Sequence, residues 1–344
     1  MEERRIDPLQ IIGMVLIFVI FTWMMYTQSA EDLAQTNTQE TQTTEAVAEA
    51  KNPTAEKVVA TPMEMLSSEE AAKETITIQN DVLTLGISTK GGAMEQVLLN
   101  GEVNYQDVPL YLIDKENNSL NIGFTTAAGQ LLQTKFLMFS PTLTKISNGQ
   151  QLRLRAPIED KGYIEFVYTL PNEGYRFGFD IVAEGIEYAL DTAIPASFSW
   201  RMDGFRHAKS AQYENRYTQL AYRHENDKYS TLSASGDDDD NEKYVDWVSY
   251  RQHFFSSILI PEQPLEQVSL NSTDLTDDGV EASEYLKGFS TETTLPFQRN
   301  RFQANFDWYM GPTDYAVLKN YDENLYESIS FGWGLIGWIN RSVF

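Results

Sequence analysis

The chain has no cysteine, which excludes thiol catalysis, disulfides, cysteine zinc sites and lipid attachment through a thiol. A fold without disulfides has to be held by its core alone, which 344 residues can manage. Basic residues are scarce. Lys and Arg number 26 against 50 Asp and Glu, a net charge of −24, so there is no cationic footprint for nucleic acid. The same balance disfavours broad contact with anionic lipid except through local patches. Catalytic motifs are lacking too: there is no P-loop, G-x-S-x-G elbow, H-E-x-x-H or dinucleotide fingerprint. Lys90-Gly91-Gly92 follows a strand pattern without a helix-capping context, and reads as a tight turn rather than a phosphate cradle.

Histidine is nearly as rare, with His207, His224 and His253 as the whole set. A sugar-modifying enzyme would need two of them in one pocket with a carboxylate, and nothing in the sequence brings any two together. Among so many acidic residues a carboxylate pair carries no information. The run Asp237–Asp240 lacks the alternating ligands and glycine turn of a calcium loop, so it reads, with Ser233–Gly236 before it and Asn241 and Glu242 after it, as a solvated loop. No catalytic, cofactor-binding or metal-binding residue is assigned.

Long apolar runs are limited to one. Leu9–Tyr26 is interrupted only by Gln10 and Thr22. Eighteen helical residues span ~27 Å, close to the ~30 Å of a bilayer core. Arg4 and Arg5 precede the run while Glu31 and Asp32 follow it, which places the N-terminus in the cytoplasm and the rest outside. The small-residue stretch Thr27–Ala30 is a poor signal-peptidase site, so the run is read as a retained anchor. From 27 to 74 the composition turns to Thr, Gln, Ala and Glu. Ten acidic residues face three lysines between Glu31 and Glu74, a net of −7. Such a segment buries too little to offset its ordering entropy, and the expectation is a disordered, self-repelling tether.

Beyond Thr75 the texture is β. Leu83, Leu85 and Ile87 alternate with Thr84, Gly86 and Ser88; Leu152, Leu154 and Ala156 with Arg153 and Arg155. Tyr175, Phe177, Phe179 and Ile181 share one face, as do Phe302, Ala304, Phe306 and Trp308. Alternation of this kind, with little helical periodicity between, predicts antiparallel sheets packed as one large sandwich over 75–312. After Gly311-Pro312 the pattern becomes helical, with Tyr315, Leu318, Leu325 and Ile329 as its apolar set. Phe331–Phe344 is apolar and aromatic with one charge, Arg341, too short to span, and suited to a helix in the membrane interface or, alternatively, to one packed on the sandwich.

Four stretches in this order resemble the YidC branch of the YidC/Oxa insertase family. They are the anchor with its tether, Asn80–Leu112 (strand, Gly-Gly turn, strand, P-L-Y-L), Tyr244–Ile260 (a tryptophan before the FFSS strand), and Trp308–Pro312 leading to Phe331–Arg341. The resemblance implies a mainly β chain: an N-terminal transmembrane helix, a disordered tether, a large antiparallel, mutarotase-like β-supersandwich and a C-terminal amphipathic helix. Its expected division is a cytoplasmic 1–8, an anchor at 9–26, a tether at 27–74, a periplasmic domain at 75–312 and a helical segment at 313–344. It further implies an inner-membrane insertase, not an enzyme, that uses no nucleotide or cofactor. The expected partners are nascent membrane proteins, the Sec translocon and the lipid bilayer. The family's groove arginine and transmembrane core would lie beyond Phe344, and Arg341 does not match that arginine. The competing reading is a self-contained, membrane-anchored β-sandwich that binds glycans or envelope proteins.

Overall fold

Alternation in the sequence becomes nineteen antiparallel strands among the described residues of a computed structural model. The structure describes residues 72–329 apart from 159–161, 187, 226, 277–281, 299–300 and 322. The expected anchor at 9–26, nearly all of the tether, and Phe331–Phe344 lie outside the described residues. Among the described residues no helix is long and apolar enough to cross a membrane.

Among the described residues three sheets are formed. A four-stranded sheet runs β1 (Thr75–Gln79), β2 (Leu83–Ser88), β3 (Met94–Val103) and β4 (Pro109–Ile113) in order. The nine-stranded sheet holds, from edge to edge, β13 (Lys228–Thr231), β12 (Gln219–His224), β15 (Val245–Arg251), β16 (Phe255–Pro261), β19 (Phe302–Pro312), β10 (Arg176–Glu184), β9 (Gly162–Pro171), β8 (Gly149–Ile158) and β7 (Ser140–Ile146). The six-stranded sheet holds β14 (Asp238–Glu242), β17 (Val268–Asp274), β18 (Tyr285–Leu295), β11 (Ala196–Phe205), β5 (Asn118–Thr125) and β6 (Leu131–Gln133).

The two larger sheets meet through aromatic side chains from their facing sides. Trp200 of β11 stacks on Tyr250 of β15 with ring centroids 3.7 Å apart, and meets Trp308 of β19 edge-on at 4.6 Å. Phe198 lies 5.2 Å from Phe306. The buried Tyr250 hydroxyl donates to Trp200 O at 3.0 Å, so its burial leaves no orphaned donor. Asn80 turns the chain into β2 as expected, its Oδ1 accepting from the Val82 and Leu83 amides at 3.0 and 2.7 Å. Gly91 and Gly92 both have positive φ, and a Cβ on Gly92 would lie 2.6 Å from the Phe166 ring. The turn requires glycine there.

The reading of Ser233–Glu242 as one continuous loop is corrected in part. Asp238–Glu242 is an edge strand, paired with β17 from Asp238↔Ser272 to Glu242↔Val268. Aspartate disfavours strands, but here the partner ladder and local bonds outweigh propensity. Asp240 accepts from the Tyr222 hydroxyl at 2.6 Å, and Asp238 from the Ser233 amide at 2.6 Å. Charges on an exposed edge also discourage pairing with another chain.

Candidate functional site

Strand alternation gives the nine-stranded sheet two apolar faces near β15, β16 and β19. One faces the sandwich core. The other carries Trp247, Ile258, Ile260 and Tyr309, with Ala221 from β12, all buried. An apolar patch of that kind needs a cover. The chain supplies it from the segment that follows β19, a strap containing a short helix at Tyr315–Leu318 and a 3-10 turn at Leu325–Ser328. Leu318 and Leu325 are fully buried against the patch, with Val317, Tyr321, Tyr326 and Ile329 packed around them.

The strap begins at a fixed corner. The Thr313 amide donates to Phe254 O at 2.7 Å, the Thr313 and Ser256 hydroxyls lie 2.8 Å apart, and the Tyr309 hydroxyl donates to Pro312 O at 2.6 Å. Gly311 passes so close to Tyr175 that a Cβ would sit 2.6 Å from its ring. Asp314 then caps the helix, its Oδ1 accepting from the Val317 amide at 3.1 Å.

Three arginines hold the remainder. Arg251 is 2% exposed; its Nη1 donates to Ser328 O at 2.7 Å, its Nε to Tyr217 O at 3.2 Å, and its Nη2 to the Gln219 side chain. Burial pulls its guanidinium below the ordinary range. Buried Arg223 donates to Glu323 O at 3.0 Å and pairs with Asp227 at 2.5 Å, while Trp247 Nε1 reaches the same Glu323 carbonyl at 3.2 Å. Arg176 meets both Glu323 carboxylate oxygens, at 2.8 and 2.7 Å, and Asp307 at 2.6 Å. Burial works to lower the Arg176 guanidinium, but the bonds from Glu323 and Asp307 outweigh it and raise it. Charge-assisted bonds to backbone carbonyls fix position more tightly than apolar contact does. The site holds a segment of the chain itself in place.

Beside the strap lies a groove of about 540 Å³ in which Arg176 faces Asp180, Asp246, Glu262, Asp307 and Glu323. Burial, then the neighbouring Asp307 and Glu262, push the Asp180 carboxyl above its ordinary range. Among the described residues no group of three or more His, Cys, Asp or Glu has a metal-holding arrangement.

Each histidine has its own surroundings. His207 packs against Phe205 and Phe255, its ring depressed to about 4 by burial. His224 Nδ1 lies 2.9 Å from Glu242 and its Nε2 3.1 Å from Ser230. His253 contacts Tyr213, Tyr217 and Phe254, and burial, then Arg251, lower it. Arg176, Arg223 and Glu323 were not singled out from sequence. Arg251 stood inside a quoted stretch without a role, and its setting among Tyr250, His253 and Phe254 was the available signal.

Residues 75–344 match the family described as the YidC periplasmic domain. The chain belongs to that family. A membrane protein insertase YidC from Azobacteroides pseudotrichonymphae is 30% identical over 287 residues, covering 80% of this chain and 45% of that protein. One from Parabacteroides distasonis is 30% identical over 276 residues, covering 77% and 42%. The chain spans about half the length of these curated relatives. Among solved structures, the periplasmic domain of the Thermotoga maritima YidC is similar at 12% identity and a TM-score of 0.36, over 76% of this chain and 93% of that one. A putative aldose 1-epimerase from Escherichia coli K12 is similar at 9% identity and a TM-score of 0.44, over 70% and 100%. These superpositions are loose, and the YidC assignment rests on sequence. Within it, the stretch Tyr244–Ile260 forms β15 and β16 and Trp308–Pro312 ends β19, so both YidC-like stretches build the strap's dock.

Proposed function

We propose that the chain is the anchor and extracytoplasmic portion of a bacterial inner-membrane insertase, which inserts and helps fold membrane proteins, alone or beside the Sec translocon. The observation that carries this reading is the family match over residues 75–344. In this reading 1–8 is cytoplasmic, 9–26 the anchor, 27–74 the tether, 75–312 the periplasmic domain and 313–344 the segment that leads to an interfacial helix. Its partners are nascent membrane proteins and the bilayer. No residue of this chain is assigned to catalysis, and the chain's own contribution is positional. The dock on β15, β16 and β19 holds the strap as far as Ser328.

The test is to express the whole source gene, including whatever it encodes after the Phe344 codon, in cells depleted of their own YidC. Insertion of a newly made membrane protein is then followed by protease protection. Restored insertion is expected. A stably expressed product that restores none would contradict the reading.

A further inference from the structure

The end of the sandwich where the strap finishes carries an exposed aromatic group with basic neighbours. Tyr213, Tyr217 and Phe254 are 49%, 37% and 48% exposed, large values for aromatic rings. They form one patch with His253: Tyr213 and Tyr217 lie 5.1 Å apart, His253 is 4.6 Å from Tyr217, and Phe254 is 4.1 Å from His253. Lys209 and Arg216 flank it and are exposed. The carboxylate of Glu214, from a short helix at Ala211–Asn215, is buried instead, accepting from the His207 and Ala208 amides. Asp314 is an exposed acid nearby, placed by the Thr313–Phe254 bond. In a chain of net charge −24, the segment Arg206–Tyr217 thus presents two exposed cations, Lys209 and Arg216, with its one acid turned inward, while Arg206 stacks on Tyr105 and donates to the Ala208 carbonyl.

The patch is tied to the chain's exit. Arg251 donates to the carbonyl of Tyr217 and to that of Ser328, three residues before the apolar stretch Phe331–Phe344 begins. Amphipathic aromatic rings with Lys and Arg beside them suit the headgroup layer of a bilayer, where the rings bury and the cations meet lipid phosphates. We propose that this patch is a lipid-contact surface, which seats this end of the sandwich on the outer headgroups of an anionic membrane. The proposal rests on the reading of the chain as membrane-anchored and extracytoplasmic. The strand register supplies a control. Tyr188, 89% exposed, follows the Glu184 end of β10, opposite to the Arg176 end that lies beside Pro312 and Phe254.

The absence of cysteine permits single-site labelling of the full chain. Gln212→Cys and Tyr188→Cys, each carrying a fluorophore, are reconstituted in vesicles of phosphatidylcholine and phosphatidylglycerol containing a lipid-borne quencher. The label at 212 is expected to be quenched and that at 188 spared. Tyr213→Ser with Phe254→Ser should release the 212 label, and Lys209→Gln with Arg216→Gln should lower the docked-to-free ratio about fivefold per charge. Equal quenching at both sites, or none at 212 in a chain that floats with the vesicles, would overturn the lipid contact alone. A chain that does not float with vesicles at all would overturn the anchored reading beneath it, and the proposal with it.

Discussion

Arg251 shows what a single buried cation does for a chain segment. Its guanidinium joins three elements, the loop at Tyr217, the strand at Gln219 and the strap at Ser328. Removing it leaves buried carbonyls without donors, so Arg251→Ala should cost ~3 kcal/mol in denaturant unfolding, with Arg251→Lys intermediate. Gly311→Ala should cost ~1–3 kcal/mol by forcing a methyl against the Tyr175 ring. His207 gives a pH dependence. Its ring is held neutral in the fold, depressed to about 4, whereas the unfolded ring titrates near 6.5. Between those values the unfolded state binds more protons, so stability falls as pH drops through that window, by up to ~3 kcal/mol. Glu214, raised by burial, acts in the opposite direction. Comparing wild type with His207→Gln at pH 7 and pH 5 therefore isolates the ring: the variant should lose less on acidification.

At the scale of elements, the strands readable in advance are those with one polar and one apolar face. In β8, Leu152, Leu154 and Ala156 are buried while Arg153 and Arg155 point outward to Glu165. In β10 the alternation holds along the strand, because one face meets the sandwich core, whereas in β19 it stops at Trp308, since Trp308 to Gly311 are all buried and Tyr309 lies beneath the strap. The strand β14 was not readable, since its aspartates speak against a strand and its partners Tyr222 and Ser272 are distant in sequence. The strap was half readable: Leu318 and Leu325 were marked as apolar, but that they cover the far face of a sheet follows only from the order of β12, β15, β16 and β19. The three arginines were not readable, because Arg251 and Arg223 reach backbone carbonyls of the strap, which carry no residue type, and Arg176 pairs with carboxylates far away in sequence. As an edge strand, β14 also yields a prediction. Asp239→Val with Asn241→Val, both at exposed positions, should produce concentration-dependent self-association in size-exclusion chromatography, where the parent does not.

At the scale of the whole molecule, the family was legible because its stretches are local in sequence and occur in order, and two of them converge on adjacent strands. The sandwich is the rigid part of the account and the strap its outlet. Leu325→Ala, at a fully buried position of the strap, should cost ~2–5 kcal/mol if strap and sheet unfold together, and less if the strap detaches first. The difference is read by comparing unfolding followed through tryptophan fluorescence with unfolding followed by strap protection.

The sheet's outer face holds the strap through Arg251, Arg223 and the packing of Leu318 and Leu325. Hydrogen exchange of the Leu318, Lys319 and Ile329 amides tests it most directly, in the wild type and in Arg251→Ala. These amides bond within the strap, to Asp314, Tyr315 and Tyr326, so their protection reports docking and not sheet pairing. Protection comparable to β16 in the wild type, lost in the variant while β16 stays protected, is the predicted result. Fast exchange of these amides in the wild type would contradict it.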